Sequence, residues 1–226
     1  KIGNFIMTKT LILIPSRMTA TRLPGKPLLK INNLSIISHV FKRAEEANIG
    51  EVVVATDDQE ILKNVLKNGG RAILTNKNHK TGTDRIFEAY KKLNVNNIDY
   101  ILNLQGDEPD INKDEIINLN NCMINHNAEL GTLAAKIKDS KMFNDRNVVK
   151  VITDQKLEES NFPIALNFTR DNLSTDYQNI YHHIGIYSYK VSVLEKFISL
   201  DQTNNEKINK LEQLRALDNK LKINVA

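Results

Sequence analysis

Three cationic side chains follow an apolar, β-branched run near the start of the chain. The run Leu11-Ile12-Leu13-Ile14 ends at Pro15, and Arg17, Arg22 and Lys26 lie in the stretch that comes next. Short apolar runs of this kind are typical of fully buried strands, and open α/β sheets bind ligands beyond the carboxyl ends of such strands. Three cations at that place favour a polyphosphate ligand. Taken alone, apart from their position after a strand, the same three residues would be interpreted as a solvated basic loop.

Two prolines stiffen this cationic loop. Pro24 and Pro27 restrict the backbone around Gly25 and Lys26. The loop contains neither G-x-G-x-x-G nor G-x-x-x-x-G-K-S/T, the two common phosphate-binding patterns. We therefore expect side-chain charge, rather than a helix N-terminus, to carry most of any phosphate binding here.

A carboxylate follows a second apolar run, at 100–104. Gln105-Gly106-Asp107 comes directly after that run, and the carboxyl ends of parallel strands share one edge of a sheet. An isolated aspartate after a strand is usually a turn residue or a helix cap. Opposite a cationic loop we expect Asp107 to bind Mg²⁺, which favours one or two carboxylates together with substrate phosphates.

A predicted helix opens with two hydroxyls and a glycine, Thr81-Gly82-Thr83. Exposed N–H groups at a helix start, and a glycine that admits a close ligand, suit a base or ribose site. Plain N-capping by Thr83 accounts for the same residues. Arg85 lies two positions after Thr83, and it either contributes to the nucleotide site or forms a surface ion pair.

Two adjacent histidines, His182 and His183, lie in a predicted strand. Neighbouring residues of a strand point to opposite faces, so these two do not share a metal ion. His183, Gly185 and Tyr187 fall on one face, where they bind a polar ligand or form a half-buried sheet surface. Both interpretations fit the spacing.

Apolar runs of strand type alternate with helical patterns over the first 130 residues. Strands are predicted at 52–55, 72–74 and 100–104, and helices at 36–47, 61–66, 86–90 and 116–124, with Asp57 and Glu60 as a capping box for the second helix. Beyond residue 130 the pattern predicts four strands, at 132–137, 148–152, 165–169 and 180–189. Two helices follow, at 193–200 and 208–217, and then a last strand at 222–225.

Two charged residues of the last predicted helix, Glu212 and Arg215, lie one helical turn apart and can form an ion pair.

This order of elements predicts an α/β fold whose mainly parallel sheet has helices on both faces, with a smaller antiparallel lobe. The 226 residues are expected to form one domain, with one half at about 7–130 and a second at about 131–226.

Composition and charge narrow the class of protein. The chain is 41% hydrophobic and 26% charged with a net charge of +4, which is ordinary for a globular protein. Its lysines are scattered and form no basic block interleaved with aromatics, so nucleic-acid binding is not expected. Cys122 is the single cysteine, and so no intrachain disulfide can form, as is usual in a reducing cytoplasm. No stretch has the roughly 20 apolar residues of a membrane span and no signal peptide is visible, so we expect a cytoplasmic protein.

Taken in order, the motifs resemble the 3-deoxy-manno-octulosonate (Kdo) cytidylyltransferases over nearly the whole chain. The motifs are Ile14-Pro15-Ser16-Arg17, Thr21-Arg22-Leu23-Pro24-Gly25-Lys26-Pro27, Ala55-Thr56-Asp57, Thr81-Gly82-Thr83-Asp84-Arg85, Gln105-Gly106-Asp107-Glu108-Pro109, Phe168-Thr169-Arg170, His183-Ile184-Gly185-Ile186-Tyr187 and Leu211-Glu212-Gln213-Leu214-Arg215. The resemblance implies a Rossmann-like nucleotidyltransferase fold, and a reaction in which the 2-hydroxyl of Kdo attacks the α-phosphate of CTP and pyrophosphate leaves. It also implies a magnesium-dependent homodimer, formed through the second lobe, that serves lipopolysaccharide synthesis.

The resemblance further implies a role for each matching residue. The catalytic residues would be Arg17, Lys26 and Asp107, with Asp107 as the metal ligand. CTP would be bound by Arg17, Arg22, Lys26, Thr81, Gly82, Thr83 and Arg85. The sugar acid would be bound by Gln105, Arg170, His183, Tyr187, Glu212 and Gln213, with Arg170 facing its carboxylate.

The chain departs from the family pattern at three places, and two other functions stay open. Asn167 stands where an aromatic residue is usual, and the loop after Arg170 lacks an Ile-Pro pair. The family pattern continues beyond the position of Ala226 with a Val-Asp-Thr-Pro-Glu-Asp-like segment, which in the family supplies a second metal-binding aspartate. The alternatives are transfer to another sugar acid, such as an 8-amino analogue or N-acylneuraminate, and a nucleotide-binding module without turnover.

Overall fold

A computed structural model describes residues 8–18, 24–159, 161–171 and 179–226. Contacts divide the chain into two compact units, Lys1–Asn120 and Asn121–Ala226. Arg22, one of the three predicted phosphate-binding cations, lies outside the described residues.

The first unit is built on parallel strands in the order β6-β1-β4-β5. Its strands are β1 (Thr10–Ser16), β2 (Lys30–Ile31), β3 (Leu34–Ser35), β4 (Gly50–Thr56), β5 (Ala72–Leu74) and β6 (Tyr100–Asn103), of which β2 and β3 form a separate antiparallel pair. The first four α-helices of the chain are α1 (Ile36–Glu46), α2 (Gln59–Lys67), α3 (Gly82–Leu93) and α4 (Lys113–Asn125). Strand β1 lies between β4 and β6, and its apolar run Leu11–Ile14 is fully buried, as the sequence predicts.

Helix α2 begins one residue later than the capping-box prediction. Asp58, not Asp57, is the N-cap, and its side chain accepts hydrogen bonds from the amides of Glu60 and Ile61. The prediction was wrong because two consecutive aspartates offer equivalent capping chemistry and only the backbone geometry selects one. Asp57 is thereby left to contact another part of the unit.

The second unit contains a mixed set of strands. They are β7 (Leu130–Ala135), β8 (Lys150–Thr153), β9 (Ala165–Thr169), β10 (Ile180–Lys190) and β11 (Asn224–Val225). Strand β10 pairs antiparallel with β7 and β8, β8 pairs antiparallel with β9, and β11 runs parallel to β7. The helices are α5 (Ser140–Asn144), α6 (Val191–Ser199), α7 (Asn204–Asn209) and α8 (Gln213–Asp218).

One predicted helix near the end of the chain is two. The apolar pattern at 208–217 predicts a single helix, but α7 ends at Asn209 and α8 begins at Gln213. Lys210 has a positive φ of 54° in the left-handed region, and the amides of Lys210 and Leu211 both bond to the carbonyl of Glu206. A left-handed residue of this kind is a common helix stop, and the sequence carries no glycine there to announce it.

The fold class is therefore confirmed: a mainly parallel sheet with helices around it, followed by antiparallel pairing in the second half of the chain. None of the helices in the described ranges has both the length and the apolar character needed to cross a bilayer.

Candidate active site

The end of β1 is approached closely by two loops that follow other elements of the first unit. A Cβ at Gly106 would lie only 2.7 Å from the carbonyl oxygen of Pro15, and one at Gly82 would lie 3.1 Å from Cγ of the same proline. Close approach of backbone is a reason for glycine at both positions. The start of α3 and the loop after β6 therefore meet at Pro15, which confirms the predicted gathering of polar segments at the carboxyl ends of the strands.

The cationic loop is closed at its base, and its Lys26 reaches Asp107 in the loop that follows β6. The amide of Gly25 donates to the carbonyl oxygen of Met18 at 3.1 Å, and a short 3₁₀ turn, Lys26–Leu28, follows. Lys26 Nζ lies 2.9 Å from Oδ2 of Asp107, although 81 positions separate the two residues in the chain. Arg17 is exposed just beyond the end of β1. The structure thus joins the predicted phosphate-binding lysine to the predicted metal-binding carboxylate.

The donor set around Asp107 fits a metal ion that is shared with phosphate. The Asp107 side chain is 55% exposed and already holds one cationic group, the Lys26 ammonium. Mg²⁺ commonly uses one or two carboxylates and takes its other oxygens from substrate phosphates and water. Across the residues that the structure describes, no group of three or more His, Cys, Asp or Glu side chains is arranged to hold a metal ion without such help. Binding of Mg²⁺ by Asp107 stays a prediction, in which phosphate and water would supply the other oxygen ligands.

Arg85 is buried against its own chain. It is only 3% exposed, and its guanidinium lies 3.2 Å from Oδ2 of Asp57, the aspartate that does not cap α2. Nη1 also donates to Oγ1 of Thr75 at 2.6 Å and to the carbonyl oxygen of Asn76 at 3.4 Å. Arg85 therefore ties the start of α3 to the segments that follow β4 and β5. Its direct contact with a nucleotide stays a prediction.

The start of α3 is fixed by a capping box. Thr81, not Thr83, is the N-cap: its hydroxyl accepts from the amide of Asp84, whose carboxylate in turn accepts from the amide of Thr81. Thr83 is buried and Gly82 is half-buried. Thr81 therefore already has a structural role, and its contact with cytidine is a prediction, as is that of Gly82 and Thr83.

His183 and Tyr187 of the second unit lie side by side, with ring centroids 5.5 Å apart. The pairing of β10 with β7 shifts register between Ile184 and Tyr187, which pair with the adjacent residues Leu133 and Thr132, so β10 bulges there. The common face predicted for His183 and Tyr187 is confirmed, but the bulge, rather than regular alternation, brings their rings together. The His183 ring also packs edge-on against Phe168 at 5.0 Å.

Burial changes the ionisation of both rings. Desolvation, with a smaller contribution from the neighbouring charge of His182, lowers the pKa of His183 to about 3. Desolvation also raises the pKa of Tyr187 well above its usual value, and the nearby Tyr189 and Glu212 raise it further. The site therefore presents a neutral imidazole and a protonated phenol, both suited to hydrogen bonding with a polar, uncharged group.

Sequence reasoning found one partner of Arg215 and missed the closer one. The predicted ion pair with Glu212 is present at 3.8 Å, but the guanidinium also forms a buried fork with Glu206, at 2.8 and 2.7 Å. Glu206 is nine positions upstream in a different helix, so no helical spacing signals the pair. The fork fixes the first turn of α8, where Gln213 is buried.

Sequence reasoning also missed Lys150, which is 0% exposed. Its Nζ donates to the carbonyl oxygens of Asp145 at 2.8 Å and Arg170 at 3.4 Å. Desolvation lowers the pKa of this lysine. Arg170 itself is half-buried and donates to the carbonyl oxygens of Arg146 and Asn147. Lys150 therefore anchors the backbone of the predicted carboxylate-binding arginine.

Gln105 is half-buried directly before Gly106. Its contact with a sugar acid stays a prediction.

A parallel α/β sheet with a cationic loop and a carboxylate meeting beyond its strand ends is an arrangement that suits a nucleotidyltransferase. The profile of the cytidylyltransferase family matches residues 11–223. The 3-deoxy-manno-octulosonate cytidylyltransferases of Rhodopseudomonas palustris (strain BisB18) and Thermodesulfovibrio yellowstonii are 45% and 44% identical to this chain, and each match covers 96% of this chain and 89% of the relative. The chain therefore belongs to the 3-deoxy-manno-octulosonate cytidylyltransferase family.

Solved structures agree with this assignment. A CMP:2-keto-3-deoxy-manno-octonic acid synthetase complexed with CTP superposes with a TM-score of 0.87 at 34% identity, covering 97% of this chain and 89% of that one. The 4-diphosphocytidyl-2C-methyl-D-erythritol synthase of Anaerococcus prevotii, at 15% identity and a TM-score of 0.61 over 97% of this chain and 88% of that one, shows the same fold.

Proposed function

We propose that this protein transfers CMP from CTP to the 2-hydroxyl of Kdo and releases pyrophosphate. The observation that carries the proposal is the 2.9 Å contact between Lys26 and Asp107 beyond the ends of the parallel strands. It joins a cation for phosphate to a carboxylate for a metal ion, in a chain whose relatives carry the name of this reaction.

The nucleotide half of the reaction is assigned to the first unit. Arg17 and Lys26 supply positive charge for the triphosphate, together with Arg22. The capped start of α3 is proposed to face the cytidine, with Arg85 holding that start in place through Asp57. Such preorganised charge lowers the barrier because it stabilises the charge that develops on the phosphates in the transition state.

Asp107 is proposed to hold Mg²⁺ jointly with the triphosphate. When bound, the ion would neutralise phosphate charge and orient the leaving pyrophosphate. The expected signature is independent of turnover: Asp107→Asn weakens binding of Mn²⁺, a paramagnetic substitute, to the protein–CTP complex in electron paramagnetic resonance titrations.

The sugar acid is assigned to the polar residues of the second unit. Arg170 offers a cation for the carboxylate, and its backbone is anchored by Lys150. His183, Tyr187, Glu212 and Gln213 are proposed to bind the hydroxyls. No covalent intermediate is needed, because transfer requires positioning of the 2-hydroxyl in line with the α-phosphorus more than it requires a nucleophilic side chain.

We also propose that the protein acts as a homodimer in the cytoplasm and that its product is consumed in lipopolysaccharide synthesis. The resemblance of the motifs supports the dimer and the pathway, and the single cysteine means that folding needs no oxidising compartment. Light scattering on the purified protein should give twice the mass of one chain.

Pyrophosphate release tests the reaction and separates it from its alternatives. CTP is supplied with Kdo, with its 8-amino analogue and with N-acylneuraminate in turn. We expect the highest kcat/KM with Kdo. Preference for another acid would reassign the substrate, and tight CTP binding by calorimetry without release from any acid would indicate a binding module.

A further inference from the structure

Thr132 of β7 lies opposite the bulge in β10. This fully buried threonine places its hydroxyl 2.7 Å from the carbonyl oxygen of Ile186 and 3.2 Å from that of Ile184. The same hydroxyl lies 3.0 Å from Nε2 of His183. One side chain on β7 thus contacts both carbonyls of the bulge and the imidazole beside it.

The hydroxyl has one proton to donate, and carbonyl oxygens only accept. With its proton directed to Ile186, at the shortest of the three distances, the Thr132 oxygen is left to accept. Nε2 of His183 must then carry the hydrogen. A neutral imidazole that is protonated at Nε2 has a bare Nδ1, which is an acceptor.

Two further observations agree with this tautomer. The low pKa of His183, about 3, keeps the ring neutral at physiological pH. Within the described part of the chain, Thr132 is the only hydrogen-bond partner of the imidazole, whose ring also packs against Phe168 and Tyr187. Nδ1 therefore has no hydrogen-bond partner among the described residues.

We propose that Thr132 is a positioning residue that fixes His183 as the Nε2–H tautomer and so presents Nδ1 as an acceptor for a hydroxyl of the sugar acid. The ligand rests on the proposed function, whereas the tautomer does not. The assignment also divides the ligand's groups: an acceptor at His183 binds a hydroxyl and excludes a carboxylate, which is left to the cation of Arg170.

The tautomer is measured directly in the ligand-free protein. Nitrogen-15 shifts of labelled histidine distinguish protonated from bare ring nitrogens, and the signal of His183 is the one lost in His183→Asn. We expect a protonated Nε2 and a bare Nδ1 in the wild type and in Thr132→Ser, which keeps the hydroxyl. Thr132→Val should shift the ring towards the other tautomer or a mixture. A wild-type ring protonated at Nδ1, or a Val variant unchanged from wild type, overturns the proposal.

Kinetics then test what the tautomer does. Thr132→Val should raise KM for Kdo roughly tenfold, because the ring in the other tautomer no longer offers Nδ1 as a hydrogen-bond acceptor. KM for CTP should stay unchanged. Thr132→Ser should keep the wild-type KM for Kdo. An equal rise in both KM values would indicate a merely structural role and overturn the proposal. If no sugar acid is turned over, the proposed function fails, and the nitrogen-15 spectrum still decides the tautomer.

Discussion

The buried ion pair between Arg85 and Asp57 should hold the start of α3 against the segment that follows β4. The two side chains are 4% and 17% exposed and lie 3.2 Å apart. Removing one partner of a buried pair costs about 3–5 kcal/mol, because the other charge is left without compensation. Because Asp57 keeps some contact with water, we expect Arg85→Met to lower the free energy of unfolding by about 3 kcal/mol, the lower end of that range.

A double-mutant cycle isolates the pair. Asp57→Asn should cost about 2 kcal/mol, since Arg85 keeps Thr75 and Asn76 as partners. The double variant leaves neither charge unpaired and should cost about 3 kcal/mol, which gives a coupling of about 2 kcal/mol. The assay is urea unfolding followed by far-UV circular dichroism. Costs that add to within about 0.5 kcal/mol would mean that the two side chains act independently, contrary to this prediction. Arg43→Met, which removes an exposed pair, is the control and should change stability by less than about 1 kcal/mol.

Three further predictions follow from the two units. Asp107→Asn should lower kcat about 100- to 1,000-fold while the protein still folds. Asp110→Asn, which changes another exposed aspartate of the same loop, should leave kcat unchanged. A near-wild-type rate of pyrophosphate release by Asp107→Asn would contradict the metal role. His183 stays neutral in the folded protein, whereas in the unfolded chain, with a pKa of 6.5, it takes up a proton as the pH falls. The free energy of unfolding should therefore fall by about 2 kcal/mol between pH 7 and pH 5. Urea unfolding at both pH values should show a smaller loss in His183→Asn, and equal losses in the two proteins would contradict this prediction. Lys150→Met should cost about 2 kcal/mol, since two carbonyl oxygens lose a charged donor; unchanged urea unfolding would show that these bonds contribute nothing.

The sequence predicts those parts of the molecule that depend on local pattern. The apolar run of β1 is buried as its composition indicates, and the loops after β1 and β6 meet because parallel strands end at the same edge. Chemistry that depends only on strand ends can therefore be located from the amino-acid pattern.

The parts that could not be predicted depend on which residues meet across the fold. Asp57 and Asp58 are chemically identical residues in the sequence. Only the backbone geometry at the start of α2 makes Asp58 the N-cap and leaves Asp57 to pair with Arg85. The ion pair between Arg215 and Glu206 joins two helices that are separated by a break at Lys210. A lysine at that position does not signal the end of a helix in the sequence.

The bulge in β10 is the clearest case of such a limit. Alternation along the strand places His183 and Tyr187 on one face, but the register with β7 decides how close they come. That register also decides that Thr132 faces the imidazole. The periodicity of a single segment carries no information about a partner residue 51 positions away.

The bond that the protein forms can be identified by NMR, and its identity is the decisive test of CMP transfer. Kdo labelled with carbon-13 at C2 is incubated with CTP and Mg²⁺, and the product is observed by carbon and phosphorus NMR. We expect a carbon-13 signal at C2 split by coupling to one phosphorus, with pyrophosphate released in equal amount. Release of pyrophosphate without that coupling, or an unaltered C2 signal with CTP consumed, would contradict transfer of CMP to the 2-hydroxyl.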